Sequence, residues 1–100
     1  MDHVVIRIGQ LDHVYGTVES TRGGRLRYES DTAEKLDVLV DLIAEYLDLQ
    51  DPWDGARYRE LPAAEYLRRL ARRCNGISPY ALWAEIVEDS LYPEPGAGAH

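Results

Sequence analysis

The sequence predicts an α+β fold: an antiparallel sheet of three to four strands with two helices packed on one face, in the order βββααβ. Three observations predict it. The first thirty residues alternate apolar and polar side chains in three runs separated by turn signals. Residues 31–49, DTAEKLDVLVDLIAEYLDL, repeat apolar residues at helical spacing. A second helical stripe runs from Pro62 to Cys74 and stops at Asn75-Gly76.

In the first run Val4, Ile6 and Ile8 alternate with Val5 and Arg7. In the second, Val14, Gly16 and Val18 alternate with Tyr15, Thr17 and Glu19, and the third is Arg25-Leu26-Arg27-Tyr28-Glu29. Register follows from the requirement that apolar faces agree. A three-residue loop, Arg22-Gly23-Gly24, sets Val18 opposite Tyr28, with Gly24 supplying the left-handed residue. The same logic assigns the first hairpin a Gln10-Leu11-Asp12 loop, with Ile8 opposite Val14 and Val4 opposite Val18. The expected inner face is Val4, Ile6, Ile8, Val14, Val18, Leu26 and Tyr28; the expected outer face is Val5, Arg7, Tyr15, Thr17, Arg25 and Arg27.

The first helix offers Leu36, Leu39, Val40, Ile43 and Leu47 to the core, flanked by Leu42 and Tyr46. Asp31 is its expected N-cap, with Glu34 completing a capping box. The second helix has Pro62 at its first position and Ala63, Tyr66, Leu67, Leu70, Ala71 and Cys74 as its stripe. The core should therefore join the inner sheet face to Leu39, Ile43, Leu47, Leu67 and Leu70. Residues 80–89 read either as a helix capped by Ser78 and Pro79 or as a strand. The β-branched and aromatic residues, and the edge a fourth strand would cover, favour the strand.

One hundred residues make one domain, expected over 1–91, with a disordered tail at 92–100. A single cysteine, Cys74, rules out an internal disulfide and fits a reducing compartment. The N-terminal stretch does not resemble a signal peptide, and no segment approaches the roughly 20 apolar residues of a membrane span. The expected location is the cytoplasm, with no membrane contact.

Net charge is −7, unevenly spread. Residues 31–54 carry eight acids and one base, whereas 55–76 carry six bases and two acids. The plain reading is two antiparallel helices facing each other with complementary charge. A sharper one is that Arg68, Arg69, Arg72 and Arg73, on the polar side of the second helix, engage phosphates or an acidic partner. The mirror image is that Asp37, Asp41, Glu45 and Asp48, recurring along one helix flank, imitate a nucleic-acid backbone and inhibit a DNA-binding protein.

Other constellations reduce to structure. The repeated Asp-His-Val, at Asp2-His3-Val4 and Asp12-His13-Val14, places its histidines at opposite ends of the hairpin, near Glu19 and Gly9, too far apart to share a metal. Cys74 falls on the apolar stripe and reads as core. No nucleophile elbow, zinc-protease, P-loop or dinucleotide motif occurs in the sequence. The expected function is non-enzymatic and without cofactor: a small accessory or adaptor domain acting through protein contacts, of the kind found in phages, mobile elements or defence loci. Nucleic acid is the alternative partner. Trp53 and Tyr58, on the connection between the helices, and the outer-face pair Tyr15 and Arg7 are the candidate interaction residues. Trp53 also reads as a lid folded back over the end of the core, which its high average burial favours. Oligomeric state is not legible.

Overall fold

A computed structural model describes residues 1–50, 62–74 and 82–93. They form a four-stranded antiparallel sheet and two helices, the α+β class. The strands are β1 (Asp2–Gln10), β2 (His13–Ser20), β3 (Leu26–Glu29) and β4 (Trp83–Leu91); the helices are α1 (Ala33–Gln50) and α2 (Ala63–Arg73). Spatial order is β3-β2-β1-β4. The segment that read as strand or helix is thus a strand, and it pairs with β1. Trp53, Tyr58, the Asn75-Gly76 helix stop and most of the tail lie outside the described residues.

The second hairpin forms in the expected register, with Val18 opposite Tyr28 and Ser20 opposite Leu26. Gly24 takes a φ of 76°, and its amide bonds the Thr21 carbonyl at 3.0 Å to close the turn. The first hairpin differs. Its turn is Leu11-Asp12, with Gln10 opposite His13, and a bulge opposite Ile8 and Gly9 brings Ile6 opposite Val18. Leu11 adopts the left-handed φ of 52°, a conformation that disfavours a side chain. A distant residue holds it there: Trp83 of β4 donates from Nε1 to the Leu11 carbonyl at 2.9 Å. The turn is fixed by a tertiary contact that local sequence does not encode.

The slip changes the register by an even number of residues, so most of the inner face survives. Val4, Ile6, Ile8 and Val18 are buried, and Leu26 and Tyr28 pack against them. Burial raises the Tyr28 phenol above its ordinary pKa. On the turn side of the bulge the faces exchange. Val14, expected inside, is exposed; Tyr15, expected outside, packs against the core. Gly16 lies under α1, where a Cβ would meet the Glu29 carbonyl and Leu39 Cδ2.

Leu39 and Ile43 of α1 join Ala64, Tyr66, Leu67, Leu70 and Cys74 in one buried cluster with the β1 residues. Each such aliphatic side chain contributes about 1.5–3 kcal/mol on leaving water. Val40, expected within the α1 stripe, is 39% exposed, so the buried face is narrower than the sequence stripe. The side chain of Leu47 lies outside the described residues. The α1 cap falls at Thr32, one residue after Asp31: its Oγ1 accepts from the Lys35 amide at 3.1 Å. Pro62 is likewise the residue preceding α2, and its carbonyl accepts the first helical bond, from the Tyr66 amide at 3.0 Å.

The helices take separate stations. α1 lies over β2 and β3, and α2 over β1, β2 and β4. Among the described residues, the carboxylates that meet Arg68, Arg69 and Arg72 of α2 come from its own first turn, from the start of β1 and from β4.

Candidate functional site

Arg68 is held on three sides. It makes a two-pronged contact with Asp89 and bonds Asp2 Oδ2 at 2.8 Å, with Glu65 Oε2 at 3.6 Å. Its side chain is 23% exposed. Side-chain hydrogen bonds donated to Asp89, then to Asp2, raise the guanidinium above its ordinary pKa; the bond donated by Arg68 holds the Asp89 carboxyl below its own. Arg69 and Arg72 both lean on Glu65, at 3.2 and 3.8 Å. Arg73 completes the sequence patch on the last turn of α2. Arg68, Arg69 and Arg72 thus share three carboxylates, and Arg68 acts as a clamp between helix and sheet.

The outer sheet face carries a cross-strand polar row. His3 Nε2 lies 2.6 Å from Glu19 Oε2, and its Nδ1 is 3.6 Å from Glu88. Arg7 pairs with Glu85 across β1 and β4, and its Nε is buried with no hydrogen-bond partner among the described residues. Tyr15, turned by the bulge, donates its hydroxyl to Gln10 Oε1 at 3.0 Å. Arg7 and Tyr15 therefore do not share a face. His3 sits beside Glu19, as the hairpin geometry implied, and no metal-holding cluster occurs among the described residues.

Ser20 organises a corner that sequence reading missed. It is buried at 2% exposure, and its Oγ accepts from the Val4 amide at 2.9 Å. Its own carbonyl accepts from the Tyr92 hydroxyl at 2.8 Å, while the Tyr92 amide bonds the Met1 carbonyl at 2.8 Å. The Tyr92 ring lies 4.3 Å from the His3 ring, with Arg22 over it at 5.1 Å. Desolvation, then the nearby Glu19 charge, raises the Tyr92 phenol above its ordinary pKa. A cleft of about 370 Å³ opens beside this corner, lined by Asp2, Ser20, Thr21, Ala64, Glu65 and Arg68 among others. Its charged groups are already joined through Arg68, so they present no convergent set of donors to a ligand.

The remaining feature is the outer side of β4. This strand is nine residues long and ends the sheet, and no described strand pairs with its far side. Ile86, Val87 and Leu91 are 43%, 51% and 70% exposed. The Ala84 amide turns away from β1 and donates to the Cys74 carbonyl at 2.6 Å, so α2 caps the start of this edge. By the alternation of antiparallel ladders, the Ile86 amide and carbonyl also turn outward. A bulge at Val87 interrupts the pairing: Ile86 stands opposite Ile6, and Glu88 opposite Val5. The opposite edge, β3, is only four residues long. Comparison with protein-family models, with curated proteins and with solved structures found no significant match.

Proposed function

We propose that the protein is a small non-enzymatic adaptor that binds a partner protein by accepting a strand at the β4 edge. The observation that carries this reading is a long terminal strand whose backbone groups at Ile86, Asp89 and Leu91 turn outward beside exposed apolar side chains. Such an edge supplies main-chain hydrogen bonds for affinity and alternate side chains for specificity. Its bulge and its acids blunt indiscriminate pairing, so an incoming strand has to match them. The described titratable groups support a binding role over chemistry, because they are tied into ion pairs that hold helix to sheet and strand to strand. We also read the chain as cytoplasmic, on its single cysteine, and as an accessory protein of a phage, mobile element or defence locus, on its size. No helix among the described residues is long and apolar enough to cross a membrane.

Ile86→Pro tests the reading. Proline removes an outward-facing amide and leaves the β1 ladder intact, a position edge strands tolerate. A partner captured by the parent chain should be lost by this variant, and its binding to the parent chain should slow hydrogen exchange at the outward amides of Ile86, Asp89 and Leu91. Undiminished capture by a folded Ile86→Pro variant would rule out strand addition at β4.

A second reading rests on α1. Asp37 and Asp41 are exposed on α1. That arrangement suits an acidic flank offered to a basic DNA-binding protein. Asp37→Asn with Asp41→Asn should then abolish inhibition of that protein and leave β4 contacts unchanged.

A further inference from the structure

Strand addition at β4 leaves the chemistry of the added strand to be settled, and the faces of β4 specify it. Between Trp83 and Leu91 the strand holds Glu85, Glu88 and Asp89 and no cation. Pairing with β1 assigns each to a face. Glu85 and Glu88 stand opposite Arg7 and Val5, on the outer face. Ile86, Asp89 and Leu91 stand opposite Ile6, Val4 and Asp2, on the helix face. There Asp89 is consumed by the Arg68 clamp, which leaves Ile86 and Leu91 as the exposed groups of that face. The outer-face acids remain 55% and 51% exposed, although Arg7 and His3 touch them. A carboxylate accepts several hydrogen bonds, so each retains capacity for a further donor.

We propose that the β4 edge takes an extended segment of a partner protein that alternates Lys or Arg with apolar β-branched residues. This rests on the strand-addition reading. In the added strand, the cations fall on the outer face beside Glu85 and Glu88. The apolar residues fall on the helix face and cover Ile86 and Leu91. Cross-strand pairs of this kind each contribute roughly 0.2–1 kcal/mol. The chain's charge of −7 draws a basic segment in from a distance. A second copy is a poor occupant: every charged side chain of β4 is an acid, so it offers no cation to Glu85 or Glu88, and two chains of −7 repel.

The test uses the full chain and short capped peptides that alternate valine with lysine, with threonine or with glutamate, followed by backbone amide NMR shifts. The valine–lysine peptide should bind with its largest shifts at Ile86–Leu91 and weaken as salt rises. Glu85→Gln with Glu88→Gln should weaken it by about three- to tenfold. The valine–glutamate peptide should not bind. Equal binding of the threonine and lysine peptides would overturn the basic-partner proposal and leave strand addition standing. Undiminished binding of a backbone N-methylated valine–lysine peptide, or of Ile86→Pro to the parent peptide, would sink strand addition itself. Failure of every peptide would overturn the proposal. So would dimerisation of the chain alone in sedimentation, lost in Ile86→Pro, which would give the edge to a second copy.

Discussion

Arg68 grips Asp89 with two arms of its guanidinium, Nε to Oδ2 at 3.0 Å and Nη2 to Oδ1 at 2.7 Å. The third nitrogen reaches Asp2 Oδ2 at 2.8 Å. One helix side chain thereby ties the start of β1 to the end of β4 and fixes where α2 crosses the sheet.

Arg68→Ala should lower the melting temperature by a few degrees, and Arg68→Lys should recover little of it, because an ammonium cannot span both carboxylate oxygens of Asp89. The sign of the pH effect follows from the depressed Asp89 pKa. Its contribution is present above the ordinary carboxylate range and is lost as pH falls through the native value. The gap between the parent chain and Asp89→Asn should therefore close in acid. Thermal melts at neutral pH and below the carboxylate range check this, and a gap that widens in acid contradicts it.

Leu39→Ala and Leu67→Ala should each cost about 2–5 kcal/mol in urea unfolding, since both side chains are 0% exposed within one cluster. Val40→Ala, 39% exposed on the same helix as Leu39, should stay within about 0.5 kcal/mol. Similar losses at Leu39 and Val40 would place the buried face of α1 elsewhere.

Ser20→Ala should cost about 1–3 kcal/mol, because it leaves the buried Val4 amide without its acceptor. Ser20→Thr keeps the hydroxyl, so it should restore part of the loss. Hydrogen exchange at the Val4 amide reads the effect directly: it should speed up in Ser20→Ala.

Gly16→Ala should be worse than Gly24→Ala. Both glycines have positive φ, 153° and 76°. At Gly24 an added methyl meets nothing within 4 Å, so only the backbone term of about 1–2 kcal/mol applies. At Gly16 the methyl also strikes the Glu29 carbonyl and lies 3.1 Å from Leu39 Cδ2. Equilibrium unfolding of the two variants ranks them, and the reverse order would mean that β2 does not approach α1 as described.

The elements were legible where local pattern and tertiary packing agree. The β2–β3 register followed from Val18, Tyr28 and a glycine turn, and the α2 stripe followed from its spacing. The β1–β2 turn was not legible, because Leu11 is held in a left-handed conformation by Trp83, a residue 72 positions away. The bulge beside that turn moves Val14 out and Tyr15 in. The charge segments did not disclose the acids that Arg68 meets, which stand on strand ends whose proximity only the sheet order reveals. The β4 edge was visible as an ambiguous segment but not as an open one, since openness is a property of its neighbours.

The Tyr92-to-Met1 hydrogen bond carries a consequence for the gene as well as for the fold. It brings the start of β1 and the residue after β4 to one corner, so the order in which the strands are encoded is separable from the order in which they lie. A circularly permuted chain, opened between Gly23 and Gly24 and joined by a short linker from Pro93 to Met1, would begin with β3 and end with β2. It would keep every strand neighbour and surrender the second turn and residues 94–100. Such a chain would also present new ends at the hairpin tip, where a label or fused domain leaves β4 unencumbered.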